Sequence, residues 1–205
     1  YERRVCNAQP CPLDVMCVAR MDLVVGIDAS GSMGASGWKA QRTALLGLIN
    51  RLQFSKKSGL QLGVLKFSYK VSVLQQLTDD KKKLVAAVTK TKFDRWTTNI
   101  GGAFRSMKGM LQFGRRDAPS VCMLWTDGRP SRPSSKYDAA LGAKDLRSSC
   151  RVMVVTMRPA VPKAYVAPWV SHPQSQNVLV VQHPNLMVSK VMDVNTFVCG
   201  KVQRF

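Results

Sequence analysis

Short apolar runs that alternate with amphipathic helical segments are the feature that most constrains this chain. LVVGI (23–27), LQLGVLKF (60–67), SVCMLW (120–125), RVMVVTM (151–157) and NVLVVQ (177–182) are continuous enough to predict strands buried on both faces. VSVL (71–74) predicts a further short strand. Between them lie helix patterns. Residues 37–54 place Trp38, Leu45, Leu48, Ile49 and Leu52 on one face. Residues 78–90 place Leu84, Val85 and Val88 inside, with Thr78 as the expected N-cap. Ile100, Ala103, Phe104, Met107 and Leu111 form the clearest helical stripe in the chain. Further helices are expected over 134–148, 162–170 and 184–198, the last with Val191, Val194 and Val198 inside. Strand–helix alternation of this kind predicts an α/β fold, a doubly wound and mostly parallel sheet with helices on both faces.

A sheet of that type binds ligands at the carboxyl ends of its strands, near the point where strand order reverses. The residues following the strands are therefore informative. The first strand runs into Asp28-Ala29-Ser30-Gly31-Ser32. Thr97-Thr98-Asn99 precedes the clearest helix, and SVCMLW ends in Thr126-Asp127-Gly128. Asp28, Ser30, Ser32, Thr98 and Asp127 make an all-oxygen donor set, suited to Mg²⁺ or Mn²⁺ rather than to a softer metal. Alternation in D-x-S-x-S lets three side chains converge from one loop, and Gly31 and Gly34 let it bend. Each piece alone reads equally as a turn or a helix cap; their order along the chain is what points to a metal.

With 205 residues, the chain has room for one or two domains and a full core. No apolar run approaches the roughly 18–20 residues of a membrane span. The 31 Lys and Arg against 12 Asp and Glu give a net charge of +19, a field that favours polyanions such as nucleic acid, sulfated glycans or anionic membrane surfaces. A soluble domain with scattered basic charge is the plainer reading. Residue 1 is Tyr and no signal-peptide pattern follows, so the segment is expected to be cut from a longer chain.

Six cysteines stand at 6, 11, 17, 122, 150 and 199, without a Cys-x-x-Cys spacing, and the two histidines are each followed by proline. A zinc site built on Cys and His therefore lacks ligands. Cysteines clustered at the chain ends suggest disulfides and an oxidising compartment. Cys17 and Cys199 flank the strand–helix region, and chain ends lie close together in many domains, so a bridge between them is expected. Cys122 and Cys150 sit in apolar runs and read as buried, inert thiols.

DLVVGIDASGSMG (22–34), TTNIGGAF (97–104) and VCMLWTDGRP (121–130) resemble the von Willebrand factor type A domain with its metal-ion-dependent adhesion site, of form D-x-S-x-S…T…D. The resemblance covers about residues 20–199. It implies that Asp28, Ser30, Ser32, Thr98 and Asp127 hold one Mg²⁺ (or Mn²⁺). Thr98 is preferred to Thr97 because Thr98 to Ala103 matches the T-x-x-G-x-A start of the following helix. It also implies that Thr98 and Asp127 exchange between direct and water-mediated contact as the site opens, and that the last helix moves with that change. RRVCNAQPCP (3–12) is similar to the close of a thrombospondin type 1 repeat, R-x-C-N-x-Q-P-C-P. Cys6 and Cys11 would then pair with cysteines upstream. The two together resemble the thrombospondin-related adhesins of apicomplexans and related alveolates. The implied organisation is a repeat remnant over 1–13, a linker over 14–21, the type A domain over 22–199 and a tail over 200–205.

Three functions compete. The first is an extracellular or cell-surface adhesion module whose metal receives an Asp or Glu of a protein partner. The second is an enzyme. No G-x-x-x-x-G-K-[ST] occurs, and no histidine or glutamate lies beside the candidate ligands to act as a base, so no catalytic residue is assigned. The third is an intracellular type A-like scaffold in a nucleic-acid-binding complex. The terminal cysteines and sparse aromatics, 7%, argue against it. Lys92, Arg95, Arg129 and Arg132 flank the candidate ligands, so the rim of the site is expected to be positive and to bind sulfated glycosaminoglycans such as heparin.

Overall fold

Six strands form one sheet in the order β3-β2-β1-β4-β5-β6. They are β1 (Met21–Asp28), β2 (Leu60–Phe67), β3 (Val71–Thr78), β4 (Ser120–Thr126), β5 (Arg151–Thr156) and β6 (Val178–Val180). The computed structural model describes residues 20–157 and 161–199. All pairings are parallel except β2 with β3. The chain builds outward from β1 to β2 and β3, then returns to β4 on the other side. The order thus reverses between β1 and β4, and a crevice opens where Asp28 and Asp127 stand.

Strand alternation divides the core into two layers. Leu23, Val25 and Ile27 of β1 join Met123 and Trp125 of β4 on one face. That face is covered by α1 (Gly34–Arg51), α2 (Lys81–Lys90) and α6 (Val191–Cys199). Val24, Leu65, Leu124 and Val154 face the other way, under α3 (Ile100–Leu111), α4 (Lys136–Leu146) and α5 (Lys163–Val166). The buried faces of α1 and α6 carry the residues expected there. Among the described residues, no helix is long and apolar enough to cross a membrane.

Boundaries shift where polar residues hide the pattern. The expected strand over 71–74 continues to Thr78, because Gln75, half-buried, and Gln76, exposed, lie on a sheet edge and interrupt the apolar run without ending the pairing. Thr78 therefore ends a strand and does not cap α2. Asp80 caps it, its carboxylate accepting from the amides of Lys82 and Lys83 at 3.0 and 3.1 Å. Helix α1 begins at Gly34 rather than 37, directly out of a 3₁₀ turn over Gly31–Met33, with no side-chain cap to announce it. The segment expected as one helix over 184–198 is a 3₁₀ turn, Pro184–Met187, followed by α6. In α3, Met110 rather than Leu111 is fully buried. Strand β1 opens at Met21, inside the expected linker. Cys122 and Cys150 are free thiols, and burial pushes the Cys122 thiol well above its usual range. The repeat-like stretch 1–13, most of the linker, Cys17 and the tail 200–205 lie outside the described residues.

At the amino ends of the strands, a buried ion pair closes the structure. Asp22 is inaccessible, and its carboxylate accepts from the Arg115 backbone amide at 2.5 Å and from Arg115 Nε at 2.8 Å. The guanidinium also donates to the carbonyls of Met21, Lys56 and Gly59. Arg115, which follows α3, thus belongs to the frame and not to a surface basic patch. Removing one partner strands a buried charge. Arg115→Met should lower unfolding free energy by about 3–5 kcal/mol in urea titrations, and adding Asp22→Asn should recover much of that loss; a single variant as stable as the parent would contradict this role.

Candidate metal centre

Asp28 ends β1 fully buried. Its Oδ1 accepts from the Ser30 amide at 2.8 Å and its Oδ2 from Thr126 Oγ1 at 2.6 Å, tying the first loop to the end of β4. Gln41, buried on α1, holds the Asp28 backbone from both sides. Its Nε2 donates to Asp28 O at 2.8 Å and its Oε1 accepts from Asp28 N at 3.3 Å. The loop then carries Ser30 and Ser32 onward, their hydroxyls 3.1 Å apart, and Ser32 Oγ donates to Asp127 Oδ1 at 2.8 Å. Thr98 closes the group from the loop before α3. A Cβ on Gly128 would sit 3.6 Å from Ser32 Oγ and 3.8 Å from Thr98 Oγ1, so these hydroxyls meet over one spot.

All five expected residues therefore converge at the switch point. Thr98 is buried whereas Thr97 is exposed. Thr98 does not cap α3; Asn99 does, accepting from Gly102 N at 2.9 Å. Asp28, Ser30, Thr98 and Asp127 are buried and Ser32 is exposed, so the cluster opens to solvent on the Ser32 side.

The segment 94–99 is the keel of the site. Arg95 N bonds Ala29 O, Gly31 N bonds Trp96 O at 2.7 Å, and Asn99 N bonds Ser68 O. Thr98 exchanges bonds with Ser131 in both directions. Arg95 adopts φ 66°, an uncommon conformation for a residue with a Cβ. Gly31 is required by close approach, since a Cβ there would lie 2.9 Å from the Arg95 carbonyl oxygen, and Gly34 takes φ 64°. Sequence reasoning missed Gln41, Thr126, Ser131 and the Trp96 carbonyl. Gln41 carries a faint signal, a polar residue on the apolar face of α1; backbone contacts leave none.

The basic residues divide. Lys92, Arg95, Arg129 and Arg132 are all exposed on loops at this end of the sheet. Arg129 stacks over Tyr165, 4.8 Å from the ring centroid, with Lys136 over the same ring at 5.2 Å. Arg95 lies over Phe93 at 5.7 Å.

The donor set fits a hard divalent cation: two carboxylates and three hydroxyls, open on one side. Among the described residues there is no cluster of three or more His, Cys, Asp or Glu, so hydroxyls must complete any cation shell here. Burial, then the charge of Asp127, raises Asp28 from 3.8 to about 6. Two carboxylates held together out of water resist ionisation until a cation arrives.

Residues 22–192 match the family model for the von Willebrand factor type A domain. The chain belongs to the von Willebrand factor type A family. Among solved structures, proximal thread matrix protein 1 of the mussel byssus aligns at TM-score 0.78 and 17% identity, covering 90% of this chain and 49% of that one. A second structure of that protein, with the same statistics, has a zinc-occupied MIDAS motif. Manganese-loaded TRAP protein of Plasmodium vivax aligns at TM-score 0.70 and 23% identity, covering 91% of this chain and 75% of that one. At these identities the likeness is one of fold. This type A domain spans about half the length of the mussel structures it matches. No curated protein matches its sequence.

Three outcomes check the site of this type A domain. The ionised Asp28 is costly in the metal-free fold because its folded pKa is raised. The metal-free protein should lose stability as pH rises from about 4 to about 6 and no further above that. Asn removes the charge, keeps the bond from the Ser30 amide through Oδ1 and replaces the bond from Thr126 with one that its own Nδ2 donates to Thr126 Oγ1, so metal-free Asp28→Asn should be about 1–3 kcal/mol more stable than the parent at pH 7. A less stable variant would contradict the charge argument. Gln41→Leu should stay folded and bind Mg²⁺ about tenfold or more weakly by calorimetry, as when a group orienting a ligand is lost.

Proposed function

We propose that this domain is an extracellular ligand-binding module that captures an acidic side chain of a protein partner through a divalent cation. Asp28, Ser30, Ser32, Thr98 and Asp127 are the ligands, and Mg²⁺ is the expected ion, with Mn²⁺ as a substitute. The convergence of those five side chains at the β1/β4 switch point carries the reading. A bound cation supplies a Lewis-acid position, open toward solvent, at which a carboxylate completes the coordination shell.

The chain's own residues set that position. Gln41 fixes the Asp28 backbone, and Thr126 orients its carboxylate. Ser32, exposed and bonded to Asp127, stands where a partner approaches. Binding rather than catalysis is proposed because the residues that surround the cluster are hydroxyls, amides and backbone carbonyls. The extracellular assignment rests on the cysteine pattern and on the resemblance of the first dozen residues to a thrombospondin repeat. The proposed Cys17–Cys199 bridge fits that setting. The exposed Lys92, Arg95, Arg129 and Arg132 support a second contact, with sulfated glycosaminoglycan, on the same rim.

Calorimetry with Mg²⁺ tests the first claim: the parent should bind one ion that EDTA strips, and Asp28→Ala should bind none. Unchanged binding in that variant would sink the assignment. Heparin chromatography near physiological salt tests the second. Arg129→Ala/Arg132→Ala should elute at lower salt than the parent, and Asp28→Ala should elute with the parent. A double variant that elutes with the parent removes the rim claim, and loss of binding in Asp28→Ala alone would place the glycan on the metal.

A further inference from the structure

A cleft of about 520 Å³ lies beside the metal centre, lined by Ser68, Tyr69, Lys70, Ser72, Asp94 and Trp96. It is built into the same frame as the candidate ligands. The Trp96 carbonyl accepts from the amide of Gly31, between Ser30 and Ser32, while the Ser68 carbonyl accepts from the amide of Asn99, next to Thr98. The side chains of Trp96 and Tyr69 are nonetheless not part of the core. Trp96 is 70% exposed and Tyr69 51% exposed. The other three tryptophans, Trp38, Trp125 and Trp169, are buried. A large aromatic left in water at the edge of a binding centre is a common anchor for a partner.

The polar groups of the cleft decide what it takes. Asp94 is already occupied on both oxygens, by Lys66 Nζ at 2.5 Å and by Ser68 Oγ at 3.2 Å. The Lys66 ammonium neutralises that carboxylate, so it adds no net negative charge to the cleft. The free charge around the cleft is positive: Lys70, Lys92 and Arg95 are exposed. The chemistry therefore matches an aromatic side chain carried on an acidic peptide. We propose that the cleft receives an aromatic residue of the partner segment, placed close in sequence to the Asp or Glu that reaches the cation. This deepens the metal-dependent reading above and rests on it. Trp96 and Tyr69 then set specificity, and the metal supplies the shared acidic anchor.

Trp96 is its own reporter, because its indole is the exposed one of the four. The probes are three capped pentapeptides. The first holds aspartate and phenylalanine two residues apart, the second has serine for phenylalanine, and the third has asparagine for aspartate. With Mg²⁺ present, the first should shift the Trp96 emission and bind about tenfold more tightly than the second, the scale expected for burying one aromatic ring. The third should bind weakly, as should the first after EDTA. Trp96→Ala and Tyr69→Ala, read by calorimetry, should each bring the first peptide down to the level of the second, and Tyr69→Ala should leave Mg²⁺ affinity unchanged.

Equal binding of the phenylalanine and serine peptides overturns the proposal and leaves the metal reading standing. So does a preference for phenylalanine that survives both variants, or Mg²⁺-loaded protein that binds none of the peptides. A methyl pyranoside that shifts Trp96 emission where the peptides do not assigns the cleft to sugar and equally overturns it. A phenylalanine preference that ignores EDTA supports the cleft and contradicts the metal reading, so the two failures are distinguishable.

Discussion

Asp28 and Asp127 are held side by side at the carboxyl ends of neighbouring parallel strands, where water is largely excluded. Much of the surrounding structure exists to tolerate that pairing. Burial and mutual repulsion push Asp28 up to about 6. Bonds from Thr126 and the Ser30 amide pull in the other direction. That balance is what the proposed metal-binding role calls for: the charge that destabilises the metal-free fold would become the source of affinity for a cation.

The remaining scaffold fixes geometry rather than charge. Gln41 connects the first helix to the end of β1, and the segment 94–99 zips the loops after β1, β2 and β4 to one another. Arg95 accepts a left-handed backbone so that Trp96 can present its carbonyl to Gly31. The same turn leaves the Trp96 side chain in solvent beside the site. At the far end of the sheet, Asp22 and Arg115 tie the start of β1 to the chain leaving α3. The two ends of β1 thus hold a buried carboxylate in opposite ways, one neutralised by an arginine and one held by an amide and a hydroxyl beside a second carboxylate.

Legibility in the sequence followed the same division. Strands buried on both faces and the α3 stripe were visible because apolar continuity and 3.6-residue periodicity report burial directly. The five candidate ligands were visible because each follows a strand or precedes a helix, and because their order resembles a known family. Edge strand β3 was truncated because its outer half is polar, and Thr78 was misplaced as a cap for that reason. Gln41 and the 94–99 keel were not legible. One acts through a polar side chain inside a helix, the other through backbone bonds that the side chains of 94–99 do not announce. The structural role of Arg115 was not legible either, because nothing local marks its carboxylate partner, 93 residues away.

The central claim is that a divalent cation binds at the β1/β4 switch point and nowhere else on the domain. Paramagnetic broadening of amide resonances by substoichiometric Mn²⁺ maps that position directly. The account predicts that broadening centres on Gly31, Ser32, Thr98 and Gly128, fades with distance along each loop, and is reversed by excess Mg²⁺. Broadening centred on another acidic site, such as Asp79 and Asp80 at the start of α2, or spread evenly over the surface, would contradict it.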